Sequence, residues 1–210
     1  MTENCAHLHE VVRKLPRLKA GLDPADIPKN GIYFLFETGE FTHAGERIVR
    51  VGSHTGQNNL SARLREHFYA KNKDRSVFRK HIGRCLLRRD NHSYMQCWEY
   101  DLTKRAERNK YALLIDSHTQ AAIENNVTEY MNKNFSFSVI RVDRKEDRLL
   151  YEKRLIGTIM QCNECGGSAQ WLGKWHPNTH ISKTGLWNIQ GQDGETLSCP
   201  EIDALFGSTL

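Results

Sequence analysis

Apolar and polar positions alternate strictly over residues 31–37, GIYFLFE. Ile32, Phe34 and Phe36 fall on one side and Tyr33, Leu35 and Glu37 on the other, the period of a half-buried β-strand. The polar, glycine-containing stretch TGEFTHAGE (38–46) reads as a hairpin connection, and RIVRVGS (47–53) as the returning strand. HTGQNN then supplies a loop and an Asn cap for a helix over 60–70, where Leu60, Leu64 and Phe68 recur at four-residue spacing. Residues 76–134 predict three further helical segments, FSFSVIRV (135–142) a third strand, and KEDRLLYEKRLIGTIMQC (145–162) a strongly periodic helix. Residues 4–20 predict a short helix broken near Pro16.

This order predicts an α+β fold: a small three-stranded antiparallel sheet flanked by helices, with a helical insertion between the second and third strands. One domain over 1–210 is expected, with 1–30 as a helical lead-in, 70–134 as a basic helical insertion and 163–210 as an irregular tail. Composition agrees with a globular chain, at 39% hydrophobic and 26% charged residues. No apolar run approaches the roughly 18 residues of a membrane span, so no membrane partner is expected. The first residues lack the apolar core of a secretory signal. Six scattered cysteines do not suggest a disulfide framework, and a cytoplasmic setting is the expectation.

Charge changes the picture more than composition does. Between Arg63 and Arg89 ten Lys/Arg stand against Glu66 and Asp74, a net of +8 in a chain whose total is +5. Such a block is often only a solvated helical face. Its weight in this chain points to a polyanion, with Arg65, Arg75, Arg79, Lys80, Arg84, Arg88 and Arg89 as candidate nucleic-acid contacts.

Two helices carry candidate chemistry. Arg63 and His67, four apart, border the apolar stripe of the 60–70 helix, where they could line a cleft or simply form a surface pair. In the late helix, Leu149, Ile156, Ile159 and Met160 share one face. At 100° per residue Glu152 falls near 300°, between Ile159 at about 280° and Ile156 at about 340°. A carboxylate there must be paired, protonated or holding a cation, and an ion pair to Arg63 is the plain alternative. With Tyr33 and Gly52, these residues could converge on a phosphodiester. Glu152 would bind one Mg²⁺ or Mn²⁺, Arg63 would neutralise the non-bridging oxygens, and Tyr33 or His67 would take a proton from water.

The ordered set GIY, then RVG, then N-L-x-x-R-L-x-x-H, then L-x-x-E-x-x-L-I resembles the GIY-YIG nucleases, which include the excision-repair incision subunit, homing endonucleases and several restriction enzymes. The resemblance implies that Tyr33 is the first-motif tyrosine, Arg63 the helix arginine, His67 the Tyr/His that follows it, and Glu152 the metal ligand. Two departures stand out. Arg50 replaces the second-motif tyrosine, after sixteen intervening residues, and the asparagine that usually follows the metal glutamate has Asn188 as its best candidate, with Asn178 weaker. The expected function is therefore a metal-dependent endonuclease on double-stranded DNA, of a restriction or defence kind, forming at least transient homodimers on its substrate. The alternative is a non-catalytic nucleic-acid-binding module on a degenerate scaffold.

A second constellation, Cys162-x2-Cys165 followed by His176-x3-His180, has zinc-ligand order with ten residues between the pairs. Free thiols and loop histidines are the favoured reading, and a structural Zn²⁺ the less favoured one. Trp171, Trp175 and Trp187 read as packing anchors of the tail.

Overall fold

The computed structural model describes residues 2–21, 26–191 and 193–207. Strands β1 (Gly31–Thr42), β2 (Gly45–Gly52) and β3 (Phe135–Arg141) form an antiparallel sheet in the order β2-β1-β3. Helices α2 (Leu60–Phe68), α3 (Val77–Arg89), α4 (Met95–Glu99), α5 (Arg105–Tyr111) and α6 (Ser117–Asn134) lie between β2 and β3 in the chain. Helix α1 (Thr2–Arg13) precedes the sheet and α7 (Lys145–Met160) follows it. The region after α7 is less irregular than its composition suggests: it holds a 3₁₀ turn at Leu172–Trp175, α8 (Thr179–Thr184) and α9 (Cys199–Gly207).

The alternation on β1 sorts its side chains as expected. Tyr33 and Leu35 pack with Leu60, Leu64, Phe68 and Phe78, whereas Ile32, Phe34 and Phe36 pack with Leu8, Val12, Leu155 and Ile156. Because helices cover both faces, residues 31–37 are buried throughout and the strand is not half-exposed. Glu37 is carried inside with them. Its carboxylate accepts hydrogen bonds from the Tyr130 hydroxyl at 2.5 Å and the indole N–H groups of Trp171 and Trp187 at 2.8 and 3.0 Å. Burial raises its pKa despite these donors. Trp171 and Trp187 are thus interior anchors, while Trp175 is exposed.

The hairpin connection is shorter than 38–46. Strand pairing continues to Thr42 and Gly45, with register shifts after Leu35 and Phe36, and the turn is His43–Ala44 at φ 48° and 58°. Two left-handed residues match the twist of the flanking strands. At α2, Asn59 occupies the N-cap position but makes no side-chain capping bond. Ser76 does cap α3, accepting the Arg79 amide.

Helix α7 is rotated from the face that its leucines suggest. Leu149 and Leu150 are exposed, and Leu155, Ile156 and Ile159 supply the apolar contact with the sheet. Arg148 is buried in place of Leu149. Its guanidinium donates to the carbonyls of Val142 at 3.1 Å, Asp143 at 2.6 Å and Gly56 at 3.2 Å. Saturating three loop carbonyls compensates the burial of the charge and sets how the helix docks.

Candidate active site

Tyr33 stands at the centre of the sheet, opposite Gly52 on β2 and Val139 on β3. Its ring lies across Gly52, and its hydroxyl is 2.8 Å from His67 Nε2 on α2. His67 Nδ1 in turn lies 2.7 Å from Ser76 Oγ. Ser76 Oγ accepts the Arg79 amide as the cap of α3 and keeps both a proton and a lone pair for His67 Nδ1. The imidazole thus links the Ser76 and Tyr33 hydroxyls through its two nitrogens, and either neutral tautomer completes the chain.

His67 is fully buried, and its pKa is held well below the usual histidine value by burial first, then by the nearby cations of Arg63, Arg50 and Arg79. It is therefore neutral at physiological pH. Sequence reasoning missed Ser76 as its partner. The only local signal is its position at the start of a helix.

Glu152 is half-buried at the edge of α7, not in the middle of an apolar stripe. Its carboxylate accepts the Ser53 hydroxyl, and Ser53 directly follows Gly52. One turn earlier Arg148 holds the Gly56 carbonyl, so α7 grips the loop after β2 at two points. His54 adds a third tie: it accepts the Gly31 amide at 3.3 Å through Nε2 and donates to the Gly56 carbonyl at 2.8 Å through Nδ1. Burial, then the Arg148 charge, lowers the His54 pKa. Gly31 has its own requirement, since a Cβ there would lie 2.1 Å from the Ile140 carbonyl oxygen. Ser53, His54 and Arg148 were not legible as site-building residues.

Arg63 is partly exposed at the rim. Its Nη1 donates to Glu66 at 3.0 Å and to the Arg75 carbonyl at 3.2 Å, and Arg75 reaches the same Glu66 carboxylate at 3.2 Å. It forms no ion pair with Glu152; the acid it meets is on its own helix. Arg50 lies part-buried opposite Leu35, donates to the Trp187 carbonyl at 2.8 Å, and places its guanidinium over the Phe78 ring. Asn188 pairs with both backbone groups of Val51, donating to its carbonyl at 2.8 Å and accepting its amide at 3.1 Å. It thereby extends the hydrogen bonding along β2 just before Gly52. Asn178 lies elsewhere, as the N-cap of α8.

A divalent cation fits the donor set at Glu152. A single half-buried carboxylate beside a hydroxyl suits an ion that keeps waters and phosphate oxygens in its shell.

The basic block is not one solvated face. Arg79 is wholly buried, with two nitrogens on Glu124 Oε2 at 2.7 and 3.2 Å and a third on the His67 carbonyl at 3.0 Å. Arg84 is bound by both oxygens of Glu99 at 2.6 Å, and Lys80 donates to the Glu99 carbonyl at 2.7 Å. Arg89 pairs with Asp90. Arg65, Arg75 and Arg88 remain exposed. Carboxylates from α4 and α6, outside the counted segment, pair with Arg84 and Arg79 and take two charges from its +8.

The cysteine pair and the histidine pair of the tail do not meet. His176 Nε2 lies 2.8 Å from His81 Nδ1 on α3, and Cys162 and Cys165 instead approach His43. Among the described residues no helix is long and apolar enough to cross a membrane. A family model described as GIY-YIG domain matches residues 3–198. No curated protein and no solved structure matches the chain.

Proposed function

Since the chain belongs to the GIY-YIG domain family, we propose that it is a metal-dependent endonuclease that hydrolyses phosphodiester bonds in double-stranded DNA. The observation that carries this reading is the convergence, around Gly52 and Ser53, of Tyr33 with its His67–Ser76 support and of the Glu152 carboxylate. The Ser53–Glu152 contact closes a separation of 99 residues along the chain beside the end of β2.

In this reading each residue has one role. Glu152, with Ser53 beside it, would hold a Mg²⁺ or Mn²⁺ ion, which when bound supplies positive charge at the phosphate. Arg63 exchanges Glu66 for the substrate and neutralises charge on the non-bridging oxygens. Tyr33 would act as the phenolate, its own proton given up to bulk water, and would orient the attacking water and take its proton. His67 positions that phenol and does not itself act as the base, because burial and three guanidiniums oppose its protonation. Arg50 adds positive charge where the family's second tyrosine usually stands, and Asn188 holds the end of β2 in place. Arg65, Arg75 and Arg88 contact the DNA backbone. A restriction or defence role is the biological setting we favour.

One observation favours the non-catalytic alternative: Tyr33 is only 1% exposed, so substrate reaches its hydroxyl only if the rim yields. Supercoiled plasmid incubated with the protein and Mg²⁺ or Mn²⁺, against a metal-free control, decides between the two. Metal-dependent nicking or linearisation, strongly slowed in Glu152→Gln, supports the nuclease. Salt-sensitive binding with no cutting under any metal would assign the chain to the binding class.

A further inference from the structure

The side chains that approach Cys162 and Cys165 come from the other end of the chain. Cys5 Sγ on α1 is 3.3 Å from Cys165 Sγ. His43 Nε2, at the tip of the β1–β2 hairpin, is 3.4 Å from the sulfur of Cys162 and 3.4 Å from that of Cys165. Cys5, Cys162 and Cys165 are buried, and the His43 side chain is only 5% exposed. None of the three thiols is in a disulfide.

These separations are close to the edges of a tetrahedron around one ion. With Zn–S about 2.3 Å and Zn–N about 2.0 Å, ligand atoms lie about 3.8 Å apart for two sulfurs and about 3.5 Å apart for sulfur and nitrogen. The imidazole is oriented for this. Its Nδ1 lies 3.3 Å from the Glu164 carboxylate, leaving Nε2 to face the sulfurs, and Thr42 binds the Glu164 carbonyl at 2.8 Å. A carboxylate behind the remote nitrogen of a histidine is the usual support of a metal ligand. His9 lies in the same cluster but has other work. Its Nδ1 donates to the Cys5 carbonyl at 2.9 Å and its Nε2 accepts the Ile48 amide at 3.1 Å, which occupies both nitrogens. It fixes the backbone of Cys5 and is not a ligand.

We propose that Cys5, His43, Cys162 and Cys165 form a structural zinc site that joins α1, the hairpin tip and the C-terminal end of α7. Three thiolates and one imidazole are a soft, closed set suited to zinc and unsuited to Mg²⁺, which takes oxygen ligands. This site is therefore chemically separate from the one at Glu152. A Cys5–Cys165 disulfide is the competing use of the same atoms. It would leave Cys162 and the Glu164-backed His43 without a role. The ion would tie together ligands from positions 5 to 165, and through α7 it would fix the helix that carries Glu152.

The test is metal content of the full chain, produced with zinc in the medium and measured by mass spectrometry. The expected result is one zinc per chain. After zinc is removed under reducing conditions, Co²⁺ should restore tetrahedral absorption with thiolate charge-transfer bands, which reads the ligand set in the wild-type protein. Cys5→Ser and Cys162→Ser should each bind zinc at least tenfold more weakly and unfold at lower temperature. His180→Ala should keep full zinc, which separates this site from one using the tail histidines. A wild-type protein without zinc that fails to give the Co²⁺ spectrum would overturn the proposal, as would a metal-free Cys5–Cys165 disulfide found by peptide mapping. Zinc lost in His180→Ala but kept in Cys5→Ser would also overturn it. None of these readouts depends on DNA cleavage, so the proposal stands or falls apart from the nuclease reading.

Discussion

The phenol of Tyr33 occupies the space that a side chain on Gly52 would need: a Cβ built at Gly52 would lie 2.3 Å from both Cζ and Oη of Tyr33. The glycine that ends the second strand is thus required by the tyrosine of the first. Gly52→Ala must displace the ring, and with it the hydrogen bond to His67. We expect a loss of about 1–3 kcal/mol, the usual cost of overfilling a packed site, and at least a tenfold slower single-turnover cleavage. Urea unfolding and a gel assay on the same preparation check both. An alanine variant with unchanged stability and rate would mean that the ring does not depend on this space.

Tyr33→Phe keeps the ring and removes only the hydroxyl. His67 Nε2 then loses its partner in a buried setting, a cost of about 1–3 kcal/mol. Cleavage should stop while DNA affinity and metal binding hold. A His67→Gln variant that cuts at the wild-type rate would contradict the positioning role given to His67.

Glu152→Gln retains an oxygen for the Ser53 hydroxyl and loses only the charge. Cleavage should fall by about 10²–10³-fold, the scale of removing one main electrostatic stabiliser. Calorimetry with Mg²⁺ should show weaker binding, and DNA affinity should hold or rise slightly. Near-normal cutting with an intact fold would reduce Glu152 to a support for the 53–56 loop.

The arginines divide into two groups with different expected losses. Arg79→Ala strands Glu124 inside the protein and should cost about 3–5 kcal/mol of stability. Replacing Arg65, Arg75 or Arg88 with Gln should leave stability nearly unchanged. Each phosphate contact removed should flatten the log–log salt dependence of DNA binding by about 0.9. Filter binding across a salt series, paired with thermal unfolding, separates the groups. Equal salt slopes for Arg88→Gln and wild type would remove Arg88 from the interface.

Acid should destabilise the fold through its buried histidines. His81 and His176 face each other at 2.8 Å and are held neutral, mainly by burial, with pKa values lowered to about 2 and about 4; His67 behaves likewise. In the unfolded chain each protonates near 6.5. Below that pH the unfolded state binds more protons, so stability is present above about 6.5 and is lost as pH falls. The limiting slope is about 1.4 kcal/mol per pH unit for each histidine. Glu37, whose pKa burial raises, works in the opposite direction and offsets part of it. Urea midpoints at pH 7.5 and 5.5 read the effect, and a flat profile would count against a neutral His81–His176 pair.

Local periodicity made much of this protein legible. Alternation in GIYFLFE separated Tyr33 from Ile32 and Phe34 across the sheet, and four-residue spacing placed Leu60, Leu64 and Phe68 inward with His67 beside them. Motif order alone brought Tyr33, Arg63, His67 and Glu152 together as candidates. These properties depend on dihedral preferences and side-chain direction within a few residues, which the sequence states directly.

What only the tertiary structure decided depends on groups far apart in the chain. The apparent +8 of residues 63–89 lost Arg79 and Arg84 to carboxylates on α6 and α4. Helix α7 turned an arginine inward where its pattern promised a leucine, because Val142, Asp143 and Gly56 present carbonyls there. Cys162 and Cys165 met Cys5 and His43, not the histidines that follow them. Charge pairing, carbonyl satisfaction and the approach of thiols to an imidazole act through distances of about 3–4 Å in space, and a linear spacing carries no information about which distant residue will occupy them.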